Sequence, residues 1–271
     1  MSPSDRETFE VYAIRYATLA DRTAQETFIM ADPHDGPMPM DYFVWAAIGP
    51  RHSYVIDTGF DEASAARRGR DLLRSPAAGL DMIGVDAGQV RDVIVTHLHY
   101  DHIGNFDLFP RATFHLQDKE MCYATGRHMC EQTFATAYEV DHIVGMVRQV
   151  YQGRVAFHDG DAELSPGFSV HFVGGHTMGL QCVRVWTRMG WLVLASDASH
   201  FYANMERPSP FPIVFNVGEM LQGFHKMRGL AEAARFVIPG HDPLVMARYS
   251  APAPNLEGIA VRLDAEPVAE G

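Results

Sequence analysis

The sequence predicts an α/β sandwich, in which helices cover the outer faces of central β-sheets. Short apolar runs rich in β-branched residues recur along the chain, as in buried strands, and segments with helical patterns separate them. This alternation of strands and helices is typical of the predicted architecture. The predicted strands are residues 54–56, 93–95, 170–173, 192–195 and 236–238.

Three of the intervening segments have helical patterns. Residues 61–74 mix Arg and Asp with Ala and Leu, which indicates an exposed helix, and residues 129–151 repeat mostly apolar side chains every four positions. Asn216, with Glu219 three residues later, predicts a capping box at the start of a third helix. The apolar face of that helix consists of Met220, Leu221, Phe224, Met227 and Leu230.

The 271-residue chain contains no stretch with the composition of a linker. We therefore expect a single domain over residues 1–250. Residues 251–271 are rich in Pro, Ala and Glu, and this tail is expected to fray or to drape over the surface.

The composition argues against several kinds of partner. The chain carries 22 Lys and Arg against 34 Asp and Glu, a net charge of −12, so phosphate backbones are repelled and no nucleic acid partner is expected. No apolar run is long enough to cross a bilayer, so no membrane partner is expected. The N-terminus lacks a signal-peptide pattern and the three cysteines form no C-x-x-C pair, which predicts a cytoplasmic protein with free thiols.

A short cluster of His, Asp and Gly follows each predicted strand. Because the carboxyl ends of strands in α/β folds are where loops converge on a site, these clusters predict one site built by the whole fold. The polar residues at the five strand ends are, in chain order, Asp57, then His97-x-His99-x-Asp101-His102, then His176, Asp197 and His241.

The densest of these clusters predicts metal binding. His97 and His99 can face the same way and bind one ion, while Asp101 and His102 can reach a second ion beside it. A single His at a strand end is more often a hydrogen-bonded structural residue, but four ligand-type residues in six positions are not explained that way. Imidazole and carboxylate ligands without thiolate suit zinc in a catalytic site.

The pattern His97-x-His99-x-Asp101-His102 resembles the signature of the metallo-β-lactamase superfamily, and three later residues match that family's remaining ligand positions. The resemblance covers residues 43–241 and implies a single-domain αββα sandwich with the site at one edge between two sheets. Asp57 resembles the family's carboxylate that orients the ligands, although a turn-forming role fits it equally well. The implied ligands are His97, His99 and His176 for one metal ion and Asp101, His102 and His241 for the other, with Asp197 bridging the two.

Three stretches extend the resemblance to the N-acyl homoserine lactonase branch: Thr-His-Leu-His-Tyr-Asp-His-Ile-Gly-Asn, Gly-His-Thr-Met-Gly-Leu-Gln and Ser-Asp-Ala-Ser. The resemblance implies a hydrolase in which a hydroxide bridging two zinc ions opens a small lactone, with a possible quorum-quenching role and with Asp101 passing the proton to the leaving group. No Gly-x-Ser-x-Gly nucleophile is present. The resemblance also implies a homodimer, for which the sequence identifies no interface.

The resemblance to this branch implies roles for three further residues. Tyr100 occupies the position of an aromatic residue that lines the substrate pocket. His200 stands where the branch has a Tyr that binds the lactone carbonyl, and either His200 or the nearby Tyr202 is expected to take that role. A different substrate also remains open: a thioester, a phosphotriester or an amide. The acidic charge disfavours a nuclease of the superfamily.

Overall fold

The computed structural model describes residues 6–32 and 34–268. In this part of the chain, two β-sheets pack against each other and helices cover their outer faces, as the sequence predicts. No helix among the described residues combines the length and the apolar character that crossing a bilayer requires.

The larger sheet has eight strands, numbered here in chain order, and its main path runs β13-β1-β2-β3-β5-β6-β7, with β4 paired to β1. Pairing is parallel from β3 through β7 and antiparallel elsewhere. Its strands are β1 (Glu10–Leu19), β2 (Met40–Ile48), β3 (Ser53–Ile56), β4 (Asp71–Leu72), β5 (Asp92–Ile94), β6 (Thr113–Gln117), β7 (Val155–His158) and β13 (Ala260–Arg262).

The smaller sheet has five strands in the order β12-β11-β10-β9-β8, and only the β11–β12 pair is parallel. Its strands are β8 (Ala162–Ser165), β9 (Phe168–Phe172), β10 (Gln181–Thr187), β11 (Gly190–Ser196) and β12 (Val237–Pro239). The α-helices are α1 (Glu62–Arg68), α2 (Pro76–Met82), α3 (Tyr100–Ile103), α4 (Asp118–Ala124), α5 (Gln132–Ala135), α6 (Val140–Tyr151), α7 (Tyr202–Glu206), α8 (Val217–Leu230) and α9 (Leu244–Arg248).

Two apolar cores hold these layers together. One combines Trp45 of the larger sheet with Val183 of the smaller sheet and with Phe224 of α8. The other lies on the opposite face of the larger sheet, where Val44 and Val93 pack with residues of the helices that cover it. Both faces of β1 and β2 are therefore buried, and these two strands, which the sequence analysis did not identify, lack the alternation that marks a half-exposed strand.

All five predicted strands are confirmed, with ends shifted by one or two residues, and two of the three predicted helices differ. The helix predicted over 61–74 ends at Arg68, because Gly69 adopts the left-handed conformation with φ 61°. The segment 129–151 is broken at Glu139, whose backbone is extended, and only α6 continues as a long helix. Helix α8 is confirmed, with the Asn216 side chain accepting a hydrogen bond from the Glu219 amide.

Of the two expectations for the tail after residue 250, fraying does not apply to the segment that forms β13. Strand β13 pairs with β1 and closes an edge of the larger sheet that would otherwise leave its backbone groups unpaired. The buried Asp264 carboxylate then accepts a hydrogen bond from the Val11 amide. Pairing with a distant strand overrides the turn-rich composition of this segment.

Candidate metal centre

Four strand ends converge on one cluster of His and Asp side chains. His97 and His99 lie in the loop after β5, and α3 begins directly after His99, so Asp101 and His102 lie in its single turn. All of these side chains are buried or nearly so. The other members follow strands of the smaller sheet: His176 after β9, Asp197 after β11 and His241 after β12.

Within this cluster, the donor atoms form groups that could hold a metal ion, since the atoms of each group lie within 4.8 Å of one another. Nε2 of His176 lies 3.0 Å from Nδ1 of His99, and Nε2 of His102 lies 3.6 Å from Oδ2 of Asp101. The first group is His97, His99, His176 and Asp197, and the second is Asp101, His102 and His241. A further set, Asp197, His200 and His241, shares two of its members with these groups.

Asp197 lies between the two groups. Its Oδ2 is 3.8 Å from Nε2 of His97 and 3.3 Å from Nε2 of His176. Its Oδ1 is 3.3 Å from Nε2 of His102 and 3.0 Å from Nε2 of His241. Each carboxylate oxygen therefore faces one group of imidazoles.

The donor set fits divalent metal ions. Nε2 of His97 and Nε2 of His102 are buried without a hydrogen-bond partner among the described residues, which is costly unless something else binds these nitrogens. The donors are imidazoles and carboxylates, which zinc accepts. The thiols lie elsewhere, since Cys122 and Cys130 are exposed and Cys182 is packed between the sheets.

Hydrogen bonds to the far side of the rings orient the ligand atoms. The Nδ1–H of His176 donates to the Ile213 carbonyl at 2.7 Å, and that of His241 donates to the Asp41 carbonyl at 2.9 Å. In each ring the proton is thereby held on Nδ1, which leaves the Nε2 lone pair directed into the cluster.

Asp57 orients a third ring. It lies directly after β3, is fully buried, and its Oδ2 accepts a hydrogen bond from Nδ1–H of His102 at 2.7 Å. The Thr96 amide and hydroxyl donate to the same carboxylate, each at 2.8 Å. Asp57 has φ 61° and Ser196, next to Asp197, has φ 46°, so two residues beside the cluster hold a conformation that side chains other than Gly rarely adopt.

Most of the imidazoles are held neutral, as metal binding requires. Burial, reinforced by neighbouring imidazoles, keeps the pKa of His97 and of His99 well below the usual histidine value. Burial likewise lowers the pKa of His176.

Charge pairing dominates at two other members of the cluster. Burial lowers the pKa of His102, but the surrounding carboxylates, led by Asp197, outweigh burial and hold this pKa well above its usual value. Burial raises the pKa of Asp197, but the imidazoles around it, led by His241, hold this pKa well below its usual range. Asp197 is therefore ionised, and a metal ion bound at His102 would displace a proton from that ring.

The cluster forms the floor of a cavity of about 490 Å³. Tyr100 lines this cavity, with its ring 5.5 Å from that of Phe60. His200 also lines it and is buried, with Nε2 2.9 Å from Oδ2 of Asp197 and its ring stacked at 3.4 Å on Phe211. Burial lowers the pKa of His200 well below its usual value, so the ring is neutral.

Tyr202 does not line this cavity. Its side chain belongs to the core between the sheets, and the Arg248 guanidinium lies 4.1 Å from the centre of its ring. The role in substrate binding that the sequence suggested for Tyr202 therefore fails on position, because the start of α7 turns this ring away from His200 and into the core.

The sequence analysis missed two kinds of residue near the cluster. Arg22, Arg68 and Arg70 line the cavity, although the sequence analysis assigned no role to Arg22 or to the stretch Arg67-Arg68-Gly69-Arg70. Glu120, fully buried in α4, accepts four hydrogen bonds from the loops around the cluster. The Arg67-Arg68-Gly69-Arg70 stretch was a signal that could have found two of the arginines, whereas Arg22 and Glu120 have no local signal because their positions depend on contacts between distant segments.

A family model of the metallo-β-lactamase superfamily matches residues 38–251. The chain therefore belongs to the metallo-β-lactamase superfamily, and its two sheets flanked by helices are the fold of that family.

One curated relative is the N-acyl homoserine lactonase AttM of Rhizobium johnstonii, 29% identical over 172 residues, which are 62% of this chain and 64% of that protein. The aligned region thus spans a little under two thirds of the relative's length. Among solved structures, a quorum-quenching N-acyl homoserine lactone lactonase has a TM-score of 0.72 at 20% identity, covering 89% of this chain and 95% of the other. AidC, a dizinc quorum-quenching lactonase, has a TM-score of 0.66 at 15% identity, covering 88% and 92%.

Proposed function

We propose that this protein is a dinuclear metal-dependent hydrolase that opens a small lactone, such as an N-acyl homoserine lactone or a related ring. The observation that carries the proposal is the position of Asp197, whose two carboxylate oxygens each face a separate group of imidazoles. One carboxylate with two such groups matches the donor arrangement of a two-metal site. The relatives named as lactonases support the choice of substrate.

In the proposed site, zinc is the metal that the donor set favours. When bound, the ions supply an activated water and polarise a carbonyl oxygen. The ligands would be His97, His99 and His176 for one ion and Asp101, His102 and His241 for the other, with Asp197 shared between them.

The protein's own side chains would handle orientation and proton transfer. Asp101 borders the cavity and is the candidate to pass a proton to the leaving alkoxide. His200 is fixed by its stacking on Phe211, and its single N–H faces Asp197 at Nε2. With Asp197 held by metal ions, that N–H would be the candidate to donate a hydrogen bond to the carbonyl oxygen as negative charge develops on it. Tyr100 would contact the ring or the acyl group from the cavity wall.

The proposed activity is tested by substrate profiling of purified, zinc-loaded protein with lactones, thioesters, phosphotriesters and amides. We expect the highest kcat/KM for a lactone, and a larger kcat/KM for any other class would replace the proposal with that chemistry. Asp197→Ala should abolish the activity. His225→Ala, which removes an exposed histidine outside the cluster, is the matched control and should retain it.

The role of His200 has a separate test. His200→Ala should lower kcat by about 10²–10³-fold, the usual effect of removing a donor to a developing oxyanion. His200→Tyr restores a donor and should recover part of the loss. Elemental analysis should find the same metal content in both variants as in the wild type. A wild-type kcat in His200→Ala would reduce this residue to a structural role.

A further inference from the structure

Two arginines line the cavity beside the candidate metal cluster, and their hydrogen bonds within the described residues go to neutral oxygen atoms. Arg22 is only 6% exposed, and it lines the same cavity as Arg70 and Asp197. Its guanidinium donates to the Thr27 hydroxyl at 3.2 Å and to the Glu26 carbonyl at 2.7 Å. A guanidinium has five N–H donors, and these two hydrogen bonds use two of them.

Arg70 is bound in the same partial way. Its Nε donates to the Tyr100 hydroxyl at 3.1 Å and its Nη1 to the Arg68 carbonyl at 2.7 Å. Both partners are neutral groups. In the part of the chain that the structure describes, neither Arg70 nor Arg22 forms an ion pair with a carboxylate.

Arg68, the third arginine that lines the cavity, differs from the other two because it is paired with a carboxylate. Arg68 donates through Nε to Glu139 at 2.9 Å and lies over the Tyr100 ring at 3.9 Å. Its charge is therefore balanced within the protein. Arg22 and Arg70 form no such ion pair among the described residues. Arg22 is buried, and burial lowers the pKa of its guanidinium, whereas Arg70 is half-buried.

The acidic side chains of the cavity are already engaged. Glu26 accepts hydrogen bonds from the amide and hydroxyl of Thr23. Asp101 and Asp197 belong to the candidate metal groups. A site with bound metal ions would thus retain two guanidinium groups that form no ion pair with a carboxylate of the described residues, although the whole chain has a net charge of −12.

From this arrangement we infer that the substrate carries a carboxylate or a similar oxyanion, and that Arg22 and Arg70 bind it beside the bond that is hydrolysed. The planar fork of a guanidinium matches the two oxygens of a carboxylate. The inference rests on the proposed lactonase function and narrows its related rings to anionic lactones, in place of the uncharged N-acyl homoserine lactones.

The test compares two γ-lactones of the same shape, 5-oxotetrahydrofuran-2-carboxylate and the corresponding neutral carboxamide, on zinc-loaded protein. We expect a lower KM for the acid, giving a preference in kcat/KM of about 10-fold to 100-fold, the usual value of a hydrogen bond to a charged group. Arg70→Gln should remove most of this preference by raising KM for the acid. Arg111→Gln, at an exposed position away from the cavity, should keep it.

A second measurement separates this inference from the lactonase proposal. Tetrahydrofuran-2-carboxylate has no bond to hydrolyse, and its calorimetric titration into wild type, Arg70→Gln and Arg22→Met measures anion binding alone. Weaker binding in the two variants supports the inference even if the protein opens no lactone. The absence of lactone hydrolysis would contradict only the lactonase proposal. Binding that is equal in wild type and Arg70→Gln, or an acid-to-amide preference that Arg70→Gln leaves unchanged, overturns the inference and assigns anion binding to the metal ions.

Discussion

Asp57 and Glu120 are both fully buried carboxylates next to the candidate metal cluster, yet they support it differently. Asp57 accepts a hydrogen bond directly from the ring of a candidate ligand, His102, at 2.7 Å. Glu120 accepts its hydrogen bonds from the backbone and side chains of the surrounding loops. Its donors are the amides of Leu98 and Gly179 and the hydroxyls of Tyr138 and Thr177.

The two carboxylates therefore control different properties of the site. Asp57 holds the proton of His102 on Nδ1 and so determines which nitrogen is free to bind a metal ion. Glu120 connects the loop that carries His97 and His99 to the loop that carries His176, so it fixes their spacing. At Gly179 even a Cβ atom would lie 2.1 Å from the Glu120 amide nitrogen, which shows how closely the two segments approach. Asp57 thus maintains the protonation of a candidate ligand, and Glu120 maintains the geometry of the loops that carry the ligands.

The largest effect is expected at Asp197, the carboxylate that lies between the two groups of imidazoles. Asp197→Ala removes the oxygens that face both imidazole groups, so we expect metal content to fall from about two ions per chain to below one. Elemental analysis of protein purified without chelator measures this. A wild-type content persistently near one, with full activity, would contradict the two-metal proposal.

A smaller effect is expected at Asp57. In Asp57→Asn the amide can donate to Nδ1 of His102, which shifts the ring proton to Nε2 and blocks the ligand atom. Loss of such an orienting partner usually weakens metal affinity by about 10-fold to 100-fold. Competition with a chromophoric chelator measures the affinity. An unchanged affinity would show that the ring finds its orientation without Asp57.

Glu120→Gln should instead lower stability. The amide nitrogen would face hydrogen-bond donors, so we expect the free energy of unfolding of the metal-free protein to fall by about 1–3 kcal/mol. Zinc affinity should change less than in Asp57→Asn, because Glu120 hydrogen-bonds no candidate ligand. Urea denaturation and chelator competition on both variants give the comparison. Equal loss of metal affinity in the two variants would show that Asp57 and Glu120 do not control different properties of the site.

The smallest expected effect is the change with pH in the destabilisation that Glu120→Gln causes. Burial raises the pKa of Glu120 above its ordinary value of 4.5, and its hydrogen bonds only partly oppose this. The folded state therefore binds the proton more tightly than the unfolded state, and stability falls as pH rises from 4.5 through the folded-state pKa. The destabilisation caused by Glu120→Gln should accordingly be larger at the acidic end of this window than above it. Denaturation of both metal-free proteins across the window measures the difference, and a constant gap would contradict the raised pKa.

The sequence by itself identified five strands that lead to the site and the candidate ligands at their ends. Short apolar strands followed by His and Asp identify the cluster, because strand ends converge in this class of fold whatever the rest of the chain does. The same local logic identified the start of α8, where Asn216 caps the helix. These features depend on neighbours a few residues apart.

The tertiary structure alone decided which other side chains reach the cluster. Arg22 and Arg70 lie in separate segments of an acidic chain, and only the folding of these segments over the cluster brings them into one cavity. Glu120 looks like an ordinary helical residue until its partners from three other segments surround it. Tyr202 is close to His200 in sequence but points into the core. Burial and long-range pairing are properties of the folded chain, and a linear pattern does not encode them locally.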